Sequence, residues 1–259
     1  METRIINIGD KKLSMRVMGQ GRPMILFHSL LADSTSFDLI SGELAISHEV
    51  FLFNLPGFDD SSYVSNEINV VADHLAEGIK QLNLNQNPIL LGNGFGGFLS
   101  LILTIRYPDI PSKLVLADCG ATFSEAGRNA FKVMMFKSLE SGLGAVADTA
   151  MKRLFSKGFQ EANPDLIALR RQHFLSMNRR TFQDACMALA SLDIRDQVTD
   201  IKQQALILVG EFDEATPPAM ATELNSLMPN STLKVLENCA HVPQLQAPKQ
   251  FLELIHDFV

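Results

Sequence analysis

Residues 89–97 read Ile89-Leu90-Leu91-Gly92-Asn93-Gly94-Phe95-Gly96-Gly97. A short apolar run passes directly into glycine-spaced residues and then into a long apolar stretch reaching Tyr107. This spacing predicts a buried strand that turns sharply into a helix. The central residue of such a turn, Gly94, takes a positive φ. Gly92 and Gly96 stay small because strand and helix backbones crowd there. Glycine-rich strand-to-helix turns also bind dinucleotide phosphates. Here, however, Gly92, Gly94, Gly96 and Gly97 do not give G-x-G-x-x-G, and the turn follows a late strand rather than the first of a βαβ unit.

Working outward, Arg4–Ile8 and Leu13–Met18 read as antiparallel strands joined near Gly9-Asp10. Met24–Phe27, Val50–Phe53, Pro88–Leu91 and Lys113–Ala117 read as buried strands. Helical spacing falls on Ser36–Ile46, Val70–Leu84 and Phe95–Tyr107. Buried strands alternating with helices predict an α/β fold with a mostly parallel sheet covered on both faces. The rhythm breaks at Gly120, and from Ala121 to Ser191 only helical patterns occur. Strands resume at Ala205–Val209 and Leu233–Leu236, with a helix after Pro218 and a closing helix at Ala247–Val259. The chain is therefore expected to divide into a core, residues 1–120 and 192–259, and a helical cap, residues 121–191.

Hydrophobic residues make up 46% and charged residues 20% of the chain, enough for a large core and against disorder. A net charge of −7 excludes nucleic-acid or anionic-membrane binding by bulk electrostatics. No apolar run approaches the ~18 residues that span a bilayer. Cys119, Cys186 and Cys239 are odd in number and far apart, which suits a reducing compartment and gives no disulfide or metal framework. The start, Met1-Glu2-Thr3-Arg4-Ile5-Ile6, has no apolar signal core, so a cytoplasmic location is expected. Residues 121–191 hold ten Lys/Arg against six Asp/Glu, and the remainder twelve against twenty-three. Solvated helix faces explain that split, as does a cap that draws an anionic substrate to a cleft.

The turn around Gly94 has the setting of a nucleophile elbow, G-x-S-x-G. Phe27-His28-Ser29-Leu30, Asn54-Leu55-Pro56-Gly57-Phe58-Asp59-Asp60-Ser61, Leu208-Val209-Gly210-Glu211-Phe212-Asp213 and Asn238-Cys239-Ala240-His241 stand around it at strand ends. In that order they resemble the α/β-hydrolase superfamily over essentially the whole chain. The resemblance implies an eight-stranded sheet with a cap between strands six and seven, and no metal, nucleotide or prosthetic group. Leu114–Gly120, Asp213–Pro218, Ala240–Pro243 and Ser29 after His28 are similar to 3-oxoadipate enol-lactonases and their relatives.

The residue aligned with the family's serine, sometimes cysteine or aspartate, is Gly94, which offers no nucleophilic atom. His241 and Asp213 follow the acid-then-histidine order of the fold. A carboxylate that accepts from Nδ1–H leaves Nε2 as a base. By resemblance, the amides of Leu30 and Phe95 form an oxyanion hole. His28 and Ser29 are expected at the substrate, with His28 also holding the oxyanion loop. Phe131, Met134, Met135 and Phe174 are expected in the cavity wall. Arg170-Arg171 and Arg179-Arg180 are the anion candidates. Asp118 reads as an alternative acid or, better, a turn cap. Cys119 carries no sign of a lowered pKa, and His48, His74, His173 and His256 read as surface residues.

The function expected is hydrolysis of a small ester, lactone or activated carbonyl compound by a water that His241, oriented by Asp213, activates in the space beside Gly94. The small-molecule substrate is the one partner implied. A ligand-binding protein that has lost catalysis, and a serine hydrolase carrying a Ser→Gly replacement, are the alternatives.

Overall fold

A computed structural model describes residues 1–259. Eight strands form one sheet: β1 (Glu2–Ile8), β2 (Lys11–Met18), β3 (Arg22–Phe27), β4 (His48–Phe53), β5 (Ile89–Asn93), β6 (Lys113–Ala117), β7 (Gln204–Gly210) and β8 (Ser231–Leu236). Their spatial order is β1-β2-β4-β3-β5-β6-β7-β8. Only β1/β2 and β2/β4 pair antiparallel, and every later pair is parallel. Alternate residues of each central strand enter opposite layers. Ile25, Phe27, Leu90, Leu114, Leu116 and Ile207 pack on one face. Met24, Leu26, Leu91, Val115, Leu206 and Leu208 pack on the other. Such two-sided burial explains why these strands read as unbroken apolar runs.

Helices α1 (Asp38–Leu44), α2 (Ile68–Gln81) and α3 (Phe95–Arg106) follow β3, β4 and β5; α1 is preceded by a 3₁₀ turn at Ser34–Phe37. After β6 come α4 (Glu125–Ser141), α5 (Ala147–Leu154), α6 (Lys157–Ala162), α7 (Pro164–Ser176) and α8 (Arg179–Ser191). The core ends with α9 (Arg195–Val198), α10 (Pro218–Leu227), α11 (Pro243–Gln246) and α12 (Pro248–Ile255). The helix expected at Ala247–Val259 is α12, Pro248–Ile255, and the short α11 precedes it as a separate piece. Pro248 disfavours helical geometry in Ala247, which sits at φ −140° and ψ 57°. The helix expected to reach Leu84 stops at Gln81, where Asn83 turns to φ 50°.

The stretch from α4 to α8 leaves the sheet and returns through a zipped stem. Ile194 N–H donates to Ala121 O at 2.9 Å and Thr122 Oγ1 to Leu192 O at 3.0 Å. Phe131, Met134, Met151, Phe155 and Phe182 of this insertion share one continuous apolar core with the sheet. Its α7 is also pinned to the loop after β3. Buried Arg170 donates to Asp33 Oδ1 (2.9 Å) and Thr35 Oγ1 (2.7 Å), and His173 Nδ1 lies 2.7 Å from Asp33 Oδ2. Burial alone would raise Asp33, but the Arg170 guanidinium holds its carboxyl well below the usual carboxylate range. His48 and His74 are buried and His173 is half-buried against Asp33, so of the four histidines read as surface residues only His256 is exposed. No helix is long and apolar enough to cross a membrane.

Candidate active site

β5 runs into α3 through Gly94 at φ 53° and ψ −118°. Gly94 N–H donates to Ala117 O (2.9 Å), and Gly94 O receives the first helical amides of Gly97 (2.9 Å) and Phe98 (3.1 Å). Beside the turn, Gly96 N–H donates to His28 O at 3.0 Å, stitching the loop after β3 to the top of β5. A side chain at Gly96 would run into the Phe27 carbonyl, and one at Gly92 into Gly96. The small flanks are therefore required by backbone contact.

Three loops converge on this turn. His241 Nδ1 lies 2.9 Å from Asp213 Oδ2, both side chains being almost wholly buried. Asp213 Oδ1 also accepts from the amides of Ala215 (2.7 Å) and Thr216 (3.1 Å), and Oδ2 from Thr216 Oγ1 (2.6 Å). Burial alone would raise Asp213, but His241 and these donors hold it below the usual carboxylate value. An ionised Asp213 keeps the imidazole proton on Nδ1 and leaves Nε2 as an acceptor. That nitrogen lies 3.2 Å from Ser29 Oγ.

Asp118 stands nearby at φ 53°, its Oδ1 accepting from Gly210 N–H at 2.9 Å. Burial and then the charge of Asp213 push it well above the carboxylate range. It has no hydrogen bond to His241 and pins β6 to the end of β7. Asp118, Asp213 and His241 present ligand atoms within 4.8 Å of one another. Hydrogen bonds from Gly210, Ala215 and Thr216 engage the two carboxylates. Burial pushes the Cys119 thiol up, against nucleophilic use.

Asn93, Thr216, Gln244 and Arg153 were not singled out by sequence reading. Fully buried Asn93 donates to His241 O (2.9 Å) and accepts from Gln244 Nε2 (3.0 Å), so the β5 turn carries the histidine loop. The available signal was an amide closing the apolar run Ile89-Leu90-Leu91. Thr216, two residues past Glu214 in the acid loop, had no comparable mark.

A small cavity of about 30 Å³ joins Ser29, Leu30, Gly94, Phe95, Thr216 and His241, walled by Phe131, Arg153 and Leu189 of the insertion. The Leu30 and Phe95 N–H groups donate no hydrogen bond within the protein. Larger hollows, about 1010 Å³ beside Phe155–Glu161 and about 590 Å³ beside Asp33 and His173, contain none of these residues. Of the expected wall residues, Phe131 lines the cavity. Met134 is buried in the core, Met135 packs against its edge, and Phe174 borders the 590 Å³ hollow and packs edge-on against Phe182. His28 lies beneath the loop rather than at a substrate, with Nδ1 2.9 Å from Ser29 O and Nε2 accepting from Leu55 N–H at 3.1 Å. Burial lowers its pKa to about 4.

Arg170 is locked to Asp33, Arg171 pairs with Asp148 and Arg180 with Asp184, so none of these reaches the cavity. Arg179 does not line it either. The cation that does is Arg153, stacked over the Phe131 ring (5.4 Å), with one protein hydrogen bond, to Ala215 O at 3.3 Å. The space beside Gly94 also differs from expectation. A Cβ there would lie 2.6 Å from Ser29 Oγ and 2.7 Å from His241 Nε2. The Ser29 hydroxyl leans into the place where a water was expected, because a single sequence does not show which neighbouring loop closes a gap.

Residues 22–248 match the family described as alpha/beta hydrolase fold. The chain is 28% identical to a pimeloyl-[acyl-carrier protein] methyl ester esterase of Aeromonas hydrophila subsp. hydrophila, covering 95% of this chain and 99% of that one. It is 28% identical to 3-oxoadipate enol-lactonase 2 of Acinetobacter baylyi, covering 93% and 91%. The enol-lactonase structure from Burkholderia xenovorans LB400 superposes with a TM-score of 0.92 at 20% identity, covering 98% and 99%.

Proposed function

The chain belongs to the alpha/beta hydrolase fold family, and we propose that it hydrolyses a small ester, lactone or activated carbonyl compound without a nucleophile at residue 94. His241, oriented by Asp213, takes the proton of the attacking water, and the Leu30 and Phe95 amides receive the oxyanion. The observation that carries this reading is the hydrogen-bonded run from Asp213 through His241 Nε2 to a cavity faced by two unpaired amides. General-base assistance is worth ~10²–10⁴-fold and each oxyanion donor on the order of 10²–10³-fold. Those factors suit activated esters and strained lactones better than amides. The esterase and enol-lactonase relatives point to the same class.

Arg153 supports an anionic substrate group. Its guanidinium borders the cavity with no carboxylate bound to it, and the insertion around it is the basic part of the chain. A cavity of about 30 Å³ holds little more than one water. Substrate therefore needs Phe131, Arg153 and Leu189 to move outward, which gives residues 121–191 the role of a cap over the core of residues 1–120 and 192–259.

The competing readings rest on the missing side chain at Gly94: a binding protein without turnover, or a serine enzyme whose serine was replaced. The test is an ester and lactone panel assayed with the unaltered chain and with His241→Ala. Turnover lost in His241→Ala supports hydrolysis. Ligand binding without turnover by either protein overturns it.

A further inference from the structure

Ser29 Oγ has one hydrogen-bond partner in the protein, Nε2 of His241 at 3.2 Å, and His241 Nδ1 is 2.9 Å from Asp213. Hydroxyl, imidazole and carboxylate are thus linked in series, but the hydroxyl comes from the loop after β3 instead of the turn after β5. The oxyanion donors tolerate that exchange. In an ordinary elbow they are the amide following the nucleophile and one from the facing loop. Leu30 follows Ser29 and Phe95 follows Gly94, and both N–H groups are unpaired. Moving the hydroxyl from position 94 to position 29 swaps the two amides' roles and removes neither. Gly94 then has a reason to be glycine, since any Cβ there would meet Ser29 Oγ at 2.6 Å.

We propose that Ser29 is the nucleophile of this site and is acylated before water attacks; this rests on the hydrolase reading above. In the first half, His241 Nε2 takes the Ser29 hydroxyl proton as Oγ bonds to the carbonyl carbon, and the carbonyl oxygen becomes an oxyanion facing the Leu30 and Phe95 amides. Collapse breaks the bond to the leaving oxygen, which takes the proton from Nε2. In the second half, water gives a proton to Nε2 and adds to the acyl carbon. Collapse then breaks the bond to Ser29 Oγ, which recovers the proton, and the acid is released.

The experiment treats the full chain with an alkyl fluorophosphonate, maps adducts by peptide mass spectrometry, and follows p-nitrophenyl acetate turnover in parallel. The expected result is one phosphonyl adduct, on Ser29, absent in Ser29→Ala and His241→Ala, with kcat at least ~100-fold lower in Ser29→Ala. Ser29→Cys keeps a nucleophile in place and should form an acyl-thioester at residue 29. It decides the matter if Ser29→Ala fails to fold. An adduct on another residue overturns the proposal. So does unchanged turnover in Ser29→Ala alongside its loss in His241→Ala; water then attacks directly and the hydrolase reading survives. Neither adduct nor turnover in any protein overturns both.

Discussion

Ser29 Oγ and His241 Nε2 lie 3.2 Å apart although 212 residues separate them. The contact is braced from both sides. His28 and the Gly96 amide fix the loop that carries Ser29, and Asn93 holds the carbonyl of His241. Neither loop can shift far without breaking a buried hydrogen bond, so the two atoms are positioned before any substrate arrives. Preorganisation of this kind is what a base and its hydroxyl require.

Asp213→Asn should leave the fold intact and depress kcat by about 10²–10⁴-fold with little change in KM. The asparagine amide would donate to Nδ1 and drive the imidazole to the tautomer whose Nε2 carries the proton. Nε2 would then be unable to accept from a hydroxyl. Steady-state kinetics on an activated ester check this; an unchanged kcat would show that Asp213 does not set the tautomer.

Gly94→Ser should be less stable than the unaltered chain. A residue with Cβ at φ 53° costs roughly 1 kcal/mol. The contacts at 2.6 Å to Ser29 and 2.7 Å to His241 add to it. A fall in Tm of at least ~2–4 °C is expected. Adding Ser29→Gly should recover part of the loss, because the closer contact disappears. Calorimetry on the single and double variants checks both statements, and equal Tm values for Gly94→Ser and the unaltered chain would contradict the packing described.

The sheet was legible because its strands are buried on both faces and its helices intervene regularly, with the glycine turn after β5 marking the centre. The acid and histidine loops were legible through their order along the chain. What escaped was contact between distant loops. Nothing near Ser29 announces His241, and nothing near Asn93 announces Gln244. The insertion was legible as helical but its faces were not. In α7 the apolar residues Leu166, Ile167, Leu169, Phe174 and Leu175 fall on all sides. Hence Phe174 and Arg170, placed at the cavity by type alone, lie away from it.

Arg170→Met should destabilise the protein by about 2–3 kcal/mol. Breaking a buried pair typically costs ~3–5 kcal/mol, and the lower figure applies because Asp33 keeps a side-chain exposure of 24%. Arg170→Met with Asp33→Asn should cost less than Arg170→Met alone, since no charge is stranded. Urea midpoints for the double-mutant cycle provide the measurement. If the two single losses simply add, the pair is not a tie between α7 and the loop after β3.

Acid should weaken the fold through His28. Its Nε2 accepts from Leu55 N–H at 3.1 Å, and a proton on that nitrogen would set two donors against each other inside a wholly buried site. Burial lowers its pKa from 6.5 to about 4, with the Ser29 carbonyl and Asp33 opposing and Arg170 assisting. Between those values the unfolded chain binds a proton that the folded chain refuses, so stability falls as pH drops below about 6.5 and levels off below about 4. From pH 7.5 to 4.5 the contribution is about 2–3 kcal/mol. Buried His48 and His74, also lowered by burial, act in the same direction. Their share and that of the carboxylates is removed by comparing the chain with His28→Gln, whose amide oxygen can still accept from Leu55 and does not titrate. Urea denaturation of both proteins at the two pH values should show a loss smaller by about 2–3 kcal/mol in His28→Gln. Equal losses would mean that the folded chain does not resist protonation of His28, and the loop carrying Ser29 and Leu30 would then owe its position to something other than the bond from Leu55 N–H to His28 Nε2.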